Sequence, residues 1–537
     1  MATFVRVLVL LWADILVGYT MFVMQTYLTN VWKLSFTHAA GILNIWNGVT
    51  MVLPIGFLYL IDAFLGKYLM LLLSSIAYSV GMGFLSMSTP PVLASSTGTC
   101  KDYEPNCLGD TQKVLFYTAL ALLAVGISGH LVCLKPFLDE QRTNSDDGDG
   151  NKVFFPDIRH VYGGNCANNW SYCSTLHKTM VNPLRNSGNL YHCCNTSICE
   201  RFMFVQYPNH FLLMRELHGP ELQSFSRTRI LRLLEKAAII LPDISLEEQE
   251  NNRWRLCTVA EVEEAKIVVR MVPMWMTFIV CGIVSSIGNT YFLEQANHLD
   301  RKLGKWTTPL PMLLLLFNCA KSLFDKSYTF LASCFAGCKK YAPPVGIAVA
   351  MVFSVLCCIT SARIEIRRLK VIRRHDLLDK PEDDIPMSIF WLLFQFFLLA
   401  GLDSFFEKSS KAFFKDQAPK SMINYLQYSS SGVSGLGFVG SVLSVYVVGK
   451  ISEKGGRQNW FQYTLNKSRL DRYYWVLAAL SSVNLLVFIL IAWIYKYKDP
   501  ESVQEQGDEN GPLNGQQEEP EPDQGESGQP EDEDGAQ

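Results

Sequence analysis

The chain has 537 residues, of which 49% are hydrophobic and 18% charged, with a formal net charge of −3. A positive mean hydropathy over that length, despite a long polar centre and an acidic tail, excludes an ordinary soluble globular protein. The net charge itself says little, because acidic residues concentrate in the tail, and no nucleic-acid partner is expected.

A bilayer crossing needs about 20 apolar residues of helix. Ten runs meet that length, at 4–28, 39–61, 69–87, 114–136, 265–292, 308–332, 342–362, 385–407, 426–448 and 474–495. The first is too long for a signal peptide, carries Asp14, lacks a small-residue cleavage site and is followed by further spans. The predicted protein is therefore an all-α membrane protein. Its divisions are an N-terminal helical half at 1–141, a polar stretch at 142–264, a six-helix half at 265–498 and an acidic tail at 499–537.

Cys100 and Cys107 lie in the polar loop after the third run, where both a disulfide and two free thiols are open. In the polar stretch, residues 224–239 read as a basic amphipathic helix suited to a membrane or bundle surface. Residues 151–200 show no periodicity. Their Cys and His residues, Cys166, Cys173, His177, His192, Cys193, Cys194 and Cys199, lack the paired spacing of a zinc site, so no metal and no cofactor is expected. The tail is rich in Glu, Asp, Gln, Gly and Pro and is expected to be disordered and solvated. Asn169, Asn195 and Asn466 stand in glycosylation sequons.

The run at 265–292 continues through Pro273, which a membrane helix tolerates because neighbouring groups satisfy the freed backbone. It is preceded by CTVAEVEEAK, acidic and helix-forming. Together with THAAGILNIWNG at 37–48, DAFLGKY at 62–68, MSIFWLLFQFFLLAGLDSFF at 387–406, KDQAPKSM at 415–422 and NKSRLDRYYW at 466–475, this stretch resembles the plant nitrate/peptide transporter family. That family is the plant branch of the proton-dependent oligopeptide transporters within the major facilitator superfamily. The resemblance implies a two-half helical bundle, usually of twelve helices, that moves a small solute by alternating access. It further implies coupling to protons, no enzymatic activity, cytosolic termini, and residence in the plasma or vacuolar membrane.

The departures are specific. Ten runs stand where the family has twelve, and the missing pair would fall in the aperiodic stretch; loss in this paralogue and a misread splice junction both account for it. The E-x-x-E-R motif that the family uses in proton coupling should fall at Leu10, Ala13 and Asp14, and all three positions are changed. The family's fourth-helix lysine position holds Leu131, with Lys135 one turn later. The histidine of a nitrate-carrying relative aligns near Ser285. The alternative function is thus a non-transporting or regulatory paralogue with an impaired first half. The basic loops at 363–375 and 450–472 also run against the orientation that the resemblance implies.

Charges inside spans are costly and mark candidate sites. Asp14 is a substitute proton or cation site, or one partner of a structural hydrogen-bonded pair. Lys135 stands near a helix end, where its stem can reach the interface. Asp403, Glu407 and Lys411 recur every fourth residue on one helical face, with Gly401 and Ser404 leaving room beside them. Asp403 matches the family position of an acidic residue linked to substrate recognition. Glu407 and Lys411 equally suit an intrahelical ion pair. Tyr27, Asn44, Trp46, Trp391 and Gln395 are candidate cavity-lining residues, with packing or an interfacial position as the alternative. The expected partners are a small solute, protons and the lipid bilayer.

Overall fold

A computed structural model describes residues 2–89, 109–146, 259–303, 306–335, 339–381 and 383–497. Cys100 and Cys107, the stretches 151–200 and 224–239, Asn169, Asn195 and the acidic tail lie outside them.

The first half begins with α1 (Ala2–Asn30). Lys33 then turns the chain in a positive-φ conformation. Ser35 caps α2 (Phe36–Leu60), its side chain accepting from the backbone N–H of His38. A π turn at Ile61–Leu65 follows, and Gly66, at φ +65°, starts α3 (Gly66–Met87) in a backbone conformation that favours glycine. The helix α4 (Asp110–Asp146) runs past the expected end of the first half and contains Pro136. In the second half, α5 (Val259–Ser285) is continuous through Pro273. It ends in a π turn at Gly288–Phe292 that leads into the short α6 (Leu293–Asn297). Five long helices complete the bundle: α7 (Pro311–Cys334), α8 (Ala342–Arg374), α9 (Leu393–Gln417), α10 (Ile423–Glu453) and α11 (Leu470–Ile494).

Four two- to four-residue strands tie the loops. β1 (Leu299–Asp300) pairs in parallel with β4 (Ile385–Ser388), and β2 (Lys302–Leu303) pairs antiparallel with β3 (Trp306–Thr307). The β1–β4 pairing explains why the run that begins at 385 becomes a helix only at α9. Its first residues hold α6 and the start of α9 together instead.

Among the described residues, seven stretches are long and apolar enough to cross a membrane, where ten runs were expected. The difference has partly a physical cause. Two expected runs, α2 and α3, join across the π turn into the single 52-residue stretch Phe36–Met87. The run at 308–332 does form a helix, α7, but that helix carries Lys321, Asp325 and Lys326 and is not among the seven. The run at 4–28 falls on α1, also outside the seven.

Three apolar clusters form the core among the described residues; the smallest joins Ile61, Met70 and Leu71 to Val132, Cys133 and Leu134 of α4, and the other two follow the two halves. Val17, Met24, Leu28, Trp46, Phe116 and Leu123 lie in the core of the first. The second is larger and takes in α5 to α11, and Phe36 and Ala40 from the start of α2 also pack into it. The halves meet mainly along α2 and α10, which run antiparallel. Asn44 donates to Ser441 at 3.0 Å near one end, and the Tyr425 hydroxyl donates to Asp62 at the other. Between them the backbones nearly touch: a Cβ added at Gly48 would lie 2.7 Å from the Gly435 carbonyl oxygen.

Candidate functional site

The second-half site is built on α9, whose four-residue spacing brings Asp403, Glu407 and Lys411 to one face. Asp403 accepts a hydrogen bond from Ser285 at the end of α5, at 2.5 Å. Glu407 is bound from two sides: Lys411 of its own helix approaches one carboxylate oxygen to 2.6 Å, and Lys321 of α7 the other to 3.0 Å. The intrahelical pair read from the sequence is therefore present, but it is one side of a larger cluster. Lys321 also acts electrostatically on Asp403 and Asp325. Asp325 in turn accepts from the Ser404 hydroxyl at 2.6 Å and lies 3.7 Å from Lys408.

Lys321 and Asp325 were missed in the sequence because they interrupt a run that otherwise reads as an ordinary span. Their four-residue separation, matching that of Asp403 and Glu407, was the available signal. Lys321 is largely buried, so its ammonium group depends on these carboxylates for compensation. The cluster can offer both signs of charge to a polar solute, with Asp403 bonded to a neutral hydroxyl rather than a cation.

Asp14 of α1 is buried and lies 3.0 Å from His130 Nδ1 of α4. The structural and functional readings of Asp14 thus share one partner, which sequence reasoning did not single out. The signal was a histidine inside the apolar segment ALALLAVGISGHLVCL. Lys135 sits on α4, one turn beyond Leu131, and its side chain lies outside the described residues.

The remaining candidates divide. Asn44 spans the two halves through Ser441, while its own side-chain carbonyl oxygen is buried and has no hydrogen-bond partner among the described residues. The Tyr27 hydroxyl accepts from Trp32 Nε1 at 3.1 Å, and Trp32 packs on Phe116, which makes Tyr27 part of a packing cluster. Trp46 donates to the Leu120 carbonyl and ties α2 to α4. Trp391 is 38% exposed just before α9, with the Arg367 guanidinium 3.9 Å from the centre of its ring.

Gln395 is fully buried and donates to Gln295, which donates to Glu365 at 2.7 Å. Glu365 is clasped by Arg368, whose guanidinium continues to Asn466 Oδ1 and the Leu465 carbonyl. Asn466, a sequon residue, is itself buried and donates to the Leu377 carbonyl. This chain of polar groups holds α6, α8, α9 and the loop before α11 together.

A third contact joins the halves near the start of α2. Glu294 of α6 is buried, accepts from Thr29 of α1 at 3.3 Å and lies 3.3 Å from His298. Nearby, the rings of Phe36 and Tyr291 meet edge to face at 5.9 Å.

A bundle of long apolar helices with buried charges between them fits a membrane transporter. The comparisons with known proteins agree. The sequence profile of the POT family matches residues 189–461. Protein NRT1/PTR FAMILY 5.5 of Arabidopsis thaliana is 35% identical over 529 aligned residues, covering 91% of this chain and 96% of that protein. Protein NRT1/PTR FAMILY 5.15 of the same plant is 28% identical, covering 88% of this chain and 89% of that one. Among solved structures, an autoinhibited POT family peptide transporter superposes with a TM-score of 0.54 at 15% identity, covering 92% of this chain and 98% of that one. The POT family transporter PepTSo superposes with a TM-score of 0.50 at 14% identity, covering 94% and 99%. The chain belongs to the NRT1/PTR branch of the POT family of secondary transporters, with the major facilitator fold.

Proposed function

We propose that the protein is a proton-coupled symporter of a small polar solute, whether nitrate, a short peptide or another small plant metabolite. It works by alternating access in the plasma or vacuolar membrane, with both termini in the cytosol. The observation that carries this reading is the cluster of Asp403, Glu407 and Lys321 where α5, α7 and α9 meet. Buried charges of this kind are costly in a bilayer and are retained where a solute or ion must be bound. Asp403 would receive a donor group of the solute in exchange for Ser285. Lys321, held by Glu407, would face an anionic group.

The test is uptake of labelled nitrate and of a labelled dipeptide into oocytes at acidic and at neutral pH. At least one is expected to enter faster at acidic pH. Asp403→Asn is expected to lower that uptake by about 10- to 100-fold, the loss of one hydrogen bond to a charged group. Wild-type rates in Asp403→Asn would remove Asp403 from the solute site. Uptake that ignores pH would remove the proton coupling.

A further inference from the structure

The first half holds a second buried ionisable constellation. Asp14 of α1 and His130 of α4 are nearly inaccessible, with Asp14 Oδ1 and His130 Nδ1 3.0 Å apart. The other ring nitrogen, Nε2, lies 3.0 Å from the Ser75 hydroxyl of α3. The Tyr78 ring stacks on the imidazole, with centroids 5.2 Å apart and planes 7° from parallel. Glycines bring α3 and α4 close enough for this: a Cβ at Gly129 would lie 1.8 Å from Ser74 Oγ, and one at Gly126 2.4 Å from the Tyr78 ring. The second carboxylate oxygen of Asp14 is buried and has no hydrogen-bond partner among the described residues.

Counting hydrogens shows what the arrangement can do. Nδ1 faces a carboxylate and therefore carries a proton when Asp14 is ionised. Ser75 Oγ has a single hydrogen and two neighbours that compete for it, His130 Nε2 and the Leu71 carbonyl at 2.8 Å. With the hydroxyl turned to the carbonyl, Ser75 accepts from Nε2–H and the ring is an imidazolium. With the hydroxyl turned to Nε2, the ring is neutral. One hydroxyl rotation thus accommodates one proton, with no movement of the imidazole.

The two forms differ in charge. Imidazolium with aspartate is neutral overall, whereas neutral imidazole leaves the buried carboxylate without a cationic partner among the described residues. Among the described residues of the packed elements, the titratable groups facing His130 are Asp14 of α1 and Tyr78 of α3. Cys133 lies one turn along α4 and interacts with Lys67 of α3. From α2, the Thr50 carbonyl reaches Ser128 beside the site.

We infer that Asp14, His130 and Ser75 form a proton-binding site in the first half, and that its occupancy sets the pH dependence of transport. The second clause rests on the proton-coupled reading above; the first does not.

The experiment uses full-length protein with ring-labelled histidine in lipid nanodiscs, titrated with acid while nitrogen NMR follows the imidazole-to-imidazolium ratio. One signal, absent in His130→Gln, is expected to titrate. Its titration is expected to differ from that of the wild type in Asp14→Asn and in Ser75→Ala, since each removes a hydrogen-bond partner of the ring. A His130 signal that titrates identically in Asp14→Asn and Ser75→Ala overturns the site. Those two variants keep the test open if His130→Gln does not fold, because the signal can then be assigned by selective labelling.

The coupling is read separately, from the ratio of uptake at acidic to neutral pH in oocytes. It is expected to fall to unity in His130→Gln or, should that variant misfold, to be reduced in Ser75→Ala. A pH-dependent wild type whose ratio survives in these variants overturns the coupling role and leaves symport standing. A wild type with no pH dependence, but with a His130 signal that responds to Asp14, overturns symport and leaves the proton site standing.

Discussion

At the scale of single residues, the Glu365–Arg368 pair carries the sharpest energetic prediction. Both side chains are almost wholly inaccessible, and both are fully engaged by Gln295, Asn466 and the Leu465 carbonyl. Removing one partner leaves a buried charge without compensation, so Arg368→Ala should destabilise the protein by about 3–5 kcal/mol. Replacing both with apolar residues, Glu365→Leu with Arg368→Met, should cost less than the single change. Thermal unfolding in detergent with matched protein concentrations checks both; equal losses in the two variants would contradict the pairing. Asn466 belongs to the same network and is expected to carry no glycan despite its sequon, as peptide mass spectrometry would show.

Gln395 was legible as a polar residue in a span, but its role was not. Its partner Gln295 lies 100 residues away, and Glu365 a further 70 from that, separations that no local pattern reveals. The same holds for His130, 116 residues from Asp14.

At the scale of elements, helical periodicity was the dependable signal. The four-residue repeat of Asp403, Glu407 and Lys411 is enough to put them on one face, and α9 carries them so. The continuity of α5 through Pro273 was likewise readable from the apolar residues on both sides. Where tertiary pairing competed with hydropathy, the reading failed: β4 takes residues that looked like the start of a span, because they pair with β1. The α2–α10 contact depends on glycines whose meaning appears only in three dimensions. A Cβ at Gly435 would lie 2.6 Å from the Gly48 carbonyl oxygen, so the helices must separate to admit it. Gly435→Ala should therefore cost about 1–3 kcal/mol of stability by overpacking. Thermal unfolding reads that loss, and a variant as stable as the wild type would contradict the close approach.

At the scale of the whole molecule, the two halves touch through Thr29 and Glu294, Phe36 and Tyr291, Asn44 and Ser441, and Asp62 and Tyr425. Alternating access requires some of these contacts to break in each cycle. Thr29→Cys with Glu294→Cys, bridged by a short, reducible bifunctional thiol reagent, should therefore stop uptake until a reductant is added. The two-half architecture was visible in the spacing of apolar runs, and the family in its motifs. The places where charges compensate one another were not, since each joins helices distant in sequence.

The most direct test of the account is solute accumulation in proteoliposomes under an imposed pH gradient, acidic on the side of solute addition. Labelled nitrate or labelled dipeptide is predicted to accumulate above its external concentration, and a protonophore is predicted to abolish the excess. Uptake that only equilibrates, or that is unchanged by the protonophore, would contradict proton-coupled transport.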